Sequence, residues 1–71
     1  MPFVSRLAEL RQARGVTLAQ LGDSVGVSLR AMKYYAGGER EPSMSTLIAL
    51  ADYFNVSLDY LVGRSDDPER R

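Results

Sequence analysis

Side chains able to do covalent or acid–base chemistry are scarce here: the chain holds no cysteine and no histidine. Thiol nucleophiles, imidazole catalysis, disulfides and Cys/His zinc sites are excluded by inventory. Asp52, Asp59, Asp66 and Asp67 invite a metal or paired-carboxylate reading. Asp52 and Asp59 fall on the outer faces of predicted helices, and the other two in a polar tail, so neither a metal site nor catalysis is expected. What remains is cationic and aromatic. Arg30, Lys33 and Tyr34 share one short helical stretch, and Arg40 follows in a loop. Such groups suit binding better than turnover, and no enzyme or cofactor is expected.

Five helical segments are legible as the elements that hold those side chains. Phe3, Val4, Leu7, Ala8 and Leu10 follow the three–four spacing of one helical face, giving a first helix from about residue 3 to residue 14. Arg6, Arg11 and Arg14 fall on its wetter side, and Gly15 is its stop. Thr17 opens a T-x-x-Q capping box with Gln20. Leu18, Leu21 and Val25 mark the buried side of this second helix, which Gly26 ends after about two turns. Ser28 then caps a helix over 29–36, with Met32 and Tyr35 inward and Arg30, Lys33 and Tyr34 outward; Gly37 and Gly38 end it. Neighbouring Tyr34 and Tyr35 point about 100° apart, which sends one to the surface and one to the core.

Pro42-Ser43 starts a fourth helix whose Met44, Leu47, Ile48, Leu50, Ala51 and Phe54 form a broad apolar stripe, as a central core helix requires. Asn55 closes it and Val56 plugs the corner. Ser57 caps a last short helix carrying Leu58, Leu61 and Val62 before Gly63. Residues 64–71 have no apolar side chain and read as a frayed tail or linker, so the expected division is a domain over 1–63 and a polar tail over 64–71.

Seventy-one residues allow one small domain, and 45% hydrophobic with 25% charged residues is an ordinary globular balance. Without disulfides, stability must come from helix packing or association. No apolar run approaches the ~20 residues of a membrane span, and no signal peptide is recognisable. A soluble cytoplasmic protein is expected. Nine basic residues balance nine acidic ones, yet residues 1–40 hold six basic against three acidic and residues 41–71 hold three against six. A basic half offset by an acidic half favours a selective nucleic-acid binder over an indiscriminate one.

The most informative unit runs from Leu18 to Gly37: two short helices joined by a glycine-containing tight turn, the arrangement of a DNA-binding helix-turn-helix. Leu21, Val25, Val27, Met32 and Tyr35 are placed to be buried between the crossed helices. Gly22 sits where they approach closest. The chain resembles the Cro/repressor-type (XRE) helix-turn-helix family of bacterial and phage transcriptional regulators over roughly residues 3 to 63. The resemblance is carried by Leu10-Arg11-x-x-Arg14-Gly15-x-Thr17, Val25-Gly26-Val27-Ser28 and Tyr35-x-x-Gly38-x-x-x-Pro42-Ser43. It continues through Thr46-Leu47-x-x-Leu50-Ala51-x-x-Phe54-x-Val56-Ser57-x-Asp59-x-Leu61-x-Gly63.

The resemblance implies an all-α, compact five-helix bundle whose recognition helix, about 28–36, enters the major groove of double-stranded DNA. By position it gives base-reading roles to Leu29, Arg30, Lys33 and Tyr34. Arg30 would bridge O6 and N7 of guanine, and Leu29 would pack on a thymine methyl. The alternative for Leu29 is packing against a neighbouring helix or partner chain. Phosphate contacts are expected from Thr17, Leu18, Ser28, Arg40 and Ser43; Arg11 and Arg14 have a phosphate role or a structural one. The implied function is operator occupancy, more often by a repressor, as a homodimer on two half-sites, with Tyr53, Leu58, Tyr60 and Val62 as exposed dimer candidates. The setting is a bacterial or phage-encoded regulator at the nucleoid.

Three positions depart from the family pattern. Leu18 stands where glutamine assists a phosphate contact, Ala36 where glutamate pairs with a first-helix arginine, and Gly22 where alanine is usual, at a cost of ~1 kcal/mol in helix propensity. Leu18, Leu29 and Ala36, all less polar than a DNA-facing surface prefers, together with the zero net charge support a rival reading, a protein-interaction module that docks a partner regulator or toxin.

Overall fold

Four side-chain hydroxyls set where four of the helices begin. Thr17, Ser28, Ser43 and Ser57 each take extended backbone and accept a hydrogen bond from the amide three residues on, those of Gln20, Ala31, Thr46 and Tyr60. At Thr17 the box is complete, because the Gln20 side chain accepts from the Thr17 amide in return. A computed structural model describes residues 2–69, so Met1 and the tail's Arg70 and Arg71 lie outside the described residues. The helices are α1 (Pro2–Arg14), α2 (Leu18–Val25), α3 (Leu29–Gly37), α4 (Met44–Phe54) and α5 (Leu58–Leu61), with no strand among the described residues.

The helix ends repeat one device. Gly15, Gly26, Gly38, Asn55 and Gly63 adopt positive φ. The amide after each returns to a carbonyl five residues earlier: Val16 to Arg11, Val27 to Gly22, Glu39 to Tyr34, Val56 to Ala51 and Arg64 to Asp59. This bond satisfies a carbonyl that the helix leaves orphaned and turns the chain sharply. It explains how five helices fit with linkers of only a few residues.

The core draws on every helix. Phe3 and Leu7 come from α1, Leu21 from α2, Met32 from α3, Leu50, Ala51 and Phe54 from α4, Val56 from the following corner and Leu61 from α5. Leu7, Leu21, Met32, Leu50 and Leu61 are fully enclosed, and no buried polar side chain among the described residues lacks a hydrogen-bond partner. α2 packs on α3 and α4, while α1 packs on α3 and α5 and α4 also meets α5. Gly22 is buried at the α2–α3 approach, as its spacing predicts.

Five expectations are corrected. Ala8 is exposed rather than on the buried face of α1. Met44 and Ile48 were expected in the core but are 62% and 47% exposed: α4 buries the side bearing Leu50, Ala51 and Phe54, and its stripe is wider than its neighbours can cover. Tyr53, Leu58, Tyr60 and Val62 are half-buried rather than exposed, with Tyr53 and Tyr60 packed on the core. Residues 64–69, expected to make no packing contacts, lie against the fold. Backbone and charge hold them where apolar contacts cannot: the Ser57 amide donates to the Pro68 carbonyl at 3.0 Å, the Ser57 hydroxyl to the Asp67 carbonyl, and Arg6 pairs with Asp66 at 3.4 Å. Arg6 is thereby removed from the wet side of α1, its guanidinium lying 3.9 Å from the centre of the Tyr60 ring. Hydrogen bonding to Tyr60 first, and to Asp66 after it, raises its pKa above the ordinary guanidinium value.

Candidate nucleic-acid interface

The tight turn that joins α2 to α3 fixes the exposed start of α3. Gly26 at φ 75° closes α2, and Val27 then tucks its side chain toward the core. Ser28, one residue further, accepts from the Ala31 amide at 3.1 Å and starts α3. Met32 is fully buried and Tyr35 packs on the core, which anchors one side of α3. The opposite side is thereby forced outward.

On that outward side Leu29, Arg30 and Lys33 are exposed, with Leu29 at 44%. Leu29 is not among the side chains that form the core or pack on it. Tyr34 is half-buried and makes two cationic contacts. The Arg40 guanidinium lies 4.6 Å from its ring centre, and Arg30 lies 5.9 Å from it with Nε donating to the hydroxyl at 3.4 Å. Ser28, Arg30, Ala31, Tyr34 and Arg40 line one shallow surface depression. Ala31 was not singled out from the sequence. Its signal was available, because a small side chain one residue after Arg30 and three before Tyr34 leaves room between two long ones.

The other candidates divide. Thr17 and Ser43 are exposed at the starts of α2 and α4, with Ser43 also donating to Thr46 Oγ1 at 3.1 Å. Leu18 is half-buried against the core, so its side chain is committed to packing while its backbone opens α2. Arg14 donates to the Phe54 carbonyl at 2.9 Å across the fold, and Arg11 Nε to the Val16 carbonyl at 3.3 Å. Those bonds give both arginines structural work. A cation on the last carbonyls of α4 also complements the negative end of that helix.

The arrangement is therefore a capped, anchored helix presenting an apolar tip, two cations and an aromatic, with a third cation folded back from the next loop. Among the described residues no cluster of carboxylates is placed to hold a metal. No helix is long and apolar enough to cross a membrane.

Comparison with known proteins places these elements in a family. A helix-turn-helix family model matches residues 7–61. The chain is 42% identical over 64 residues to the cryptic phage CTXphi transcriptional repressor RstR of Vibrio cholerae, covering 90% of this chain and 57% of that protein. It is 33% identical over 67 residues to the HTH-type transcriptional regulator YobD of Bacillus subtilis, covering 94% and 60%. The chain thus spans somewhat over half the length of these relatives. Among solved structures, a transcriptional regulator from Listeria innocua superposes with a TM-score of 0.81 at 38% identity, covering 86% of this chain and 57% of that one. The P22 c2 repressor in complex with a synthetic operator superposes at 0.80 with 33% identity, covering 86% and 92%.

Proposed function

The chain belongs to the Cro/repressor-type (XRE) helix-turn-helix family of transcriptional regulators, and from that premise we propose that it is the sequence-specific DNA-binding part of a repressor that occupies an operator. The observation that carries the reading is the outward face of α3. Leu29, Arg30 and Lys33 are exposed near its capped start while Met32 and Tyr35 anchor its back, the posture of a helix that enters a major groove. In this reading Leu29, Arg30 and Lys33 face base edges, with Tyr34 beside them between Arg30 and Arg40. Thr17, the Leu18 amide, Ser28, Arg40 and Ser43 face the phosphates on either side. Residues 1–63 form the DNA-binding domain, and 64–71 are its polar tail or linker.

One recognition helix reads only a few base pairs, so useful affinity calls for a homodimer on two half-sites about one helical turn apart. Tyr53, Leu58, Tyr60 and Val62 are its proposed contacts. The half-burial of all four leaves each a partial surface for a partner copy. Two of the relatives come from bacteria and one structural neighbour is a phage repressor, which supports a place in the bacterial cytoplasm at the nucleoid.

Selection of bound fragments from random DNA tests the reading. A palindromic consensus is expected, with affinity that falls steeply as salt rises. Arg30→Ala is expected to cost about 1–3 kcal/mol at the preferred sequence and to relax discrimination at one base position in each half-site. Failure to enrich any sequence at low salt, together with no retention on heparin, would overturn the proposal in favour of the protein-interaction module.

A further inference from the structure

Two guanidinium groups converge on one aromatic ring at the edge of the reading face. Arg30 reaches Tyr34 from one turn earlier on α3, donating Nε–H to the hydroxyl at 3.4 Å. Arg40 reaches the same ring from the α3–α4 loop, its guanidinium carbon 4.6 Å from the ring centre. The loop returns there because Gly38, at φ 78°, reverses the chain and the Glu39 amide bonds back to the Tyr34 carbonyl at 3.0 Å. Among the described residues no ion pair joins either arginine to a carboxylate. Two like charges gathered without a counter-charge repel each other, and an incoming anion relieves that cost. The ring's negative face meanwhile holds a cation in place without neutralising it.

Resting on the DNA-binding reading above, we propose that Tyr34 is a positioning residue: it orients Arg40 toward the phosphate that flanks the base read by Arg30, and it acts through these two arginines rather than through its own contact with DNA. A loop arginine is otherwise a long, freely rotating chain. Stacking restricts it before DNA arrives, so less freedom is lost on binding. It also couples a side chain assigned to sequence with one assigned to the backbone.

The test combines binding and spectroscopy on the full chain. Tyr34→Phe keeps the ring and is expected to bind the selected operator within about twofold of the parent. Tyr34→Ala is expected to weaken binding about three- to tenfold and to lower the salt slope by about one, the loss of one phosphate contact. In an Arg30→Ala/Arg40→Ala background the same Tyr34→Ala change is expected to cost less than twofold. In the free protein the Arg40 δ-methylene protons should resonate upfield through the ring current, in the parent and in Tyr34→Phe but not in Tyr34→Ala. Circular dichroism confirms that each variant is folded.

Three results would overturn the assignment while leaving DNA binding intact. One is an equal Tyr34→Ala penalty with and without the arginines. Another is Tyr34→Phe as weak as Tyr34→Ala, which would mean that the hydroxyl, and not the ring that holds Arg40, carries the effect. The third is an Arg40 spectrum indifferent to the ring. A parent protein that binds no DNA would overturn this inference together with the function it rests on.

Discussion

A single absent methyl group sets how closely α2 can approach α3. A Cβ at Gly22 would lie 2.5 Å from the Val27 carbonyl oxygen and 3.1 Å from Met32 Cγ. The first is backbone and cannot yield without reshaping the turn that presents α3. The ~1 kcal/mol that alanine gains in helix propensity is therefore outweighed by overpacking, typically 1–3 kcal/mol. Gly22→Ala should lower the melting temperature, and a rise would show that the turn adapts freely. Arg14 carries the second residue-scale prediction. Its hydrogen bond to the Phe54 carbonyl ties α1 to the end of α4, so Arg14→Ala should cost about 1 kcal/mol in urea unfolding. The salt slope of DNA binding should stay unchanged, since a drop of about one would reveal a phosphate contact.

Among the elements, α3 depends most on how it is terminated. Its hydroxyl cap at Ser28 fixes the exposed start, and its reversal at Gly38 fixes where Arg40 returns. An alanine at φ 78° pays a left-handed penalty of about 1–2 kcal/mol, and its Cβ would sit 3.3 Å from Val4 Cγ2 on α1. Gly38→Ala should therefore lower stability and weaken operator binding while preserving the order of base preference, because the side chains facing the bases stay on an intact helix start. Competition assays over single-base operator variants would expose a changed order. The stripe of α4 shows the limit of element-scale reading. Spacing marked Met44 and Ile48 as buried, but the elements packed against α4, chiefly α2 and α5, cover only one side of an eleven-residue helix.

At the scale of the molecule, a Cα radius of gyration of 10.9 Å matches the ~11 Å expected for a folded chain of this length. Arg30, Lys33 and Arg40, three of the exposed cations, lie on α3 and its following loop. Arg6 instead faces Tyr60 and Asp66, binding α1 to α5 and the tail. Asp66 is fully solvated, so the ion pair itself contributes little, and the stacking with Tyr60 and the Ser57–Pro68 backbone bond carry most of the attachment. Deleting residues 64–71 should lower the melting temperature by a few degrees, with Arg6→Ala lowering it further through the lost stacking. Operator affinity should hold within about twofold in both, provided that the tail takes no part in dimerisation. A large loss on deletion, recovered by raising protein concentration, would instead assign the tail to the dimer.

Local chemistry made most of this protein legible from its residues in order. Hydroxyl caps at Thr17, Ser28, Ser43 and Ser57 and the positive-φ positions at Gly15, Gly26, Gly38, Asn55 and Gly63 bracket the helices within a residue or two, because caps and reversals are interactions between near neighbours in the chain. The same locality put Met32 inside and Arg30 and Lys33 outside. Tertiary structure alone decided which apolar residues the neighbours could reach, leaving Met44 and Ile48 in water. It alone brought Arg14 to Phe54, forty residues away, and laid Arg6 on Tyr60. These are meetings between segments whose separation in sequence carries no period or spacing to read. They follow only when every helix end has turned the chain through its own angle and the shared core has fixed the result.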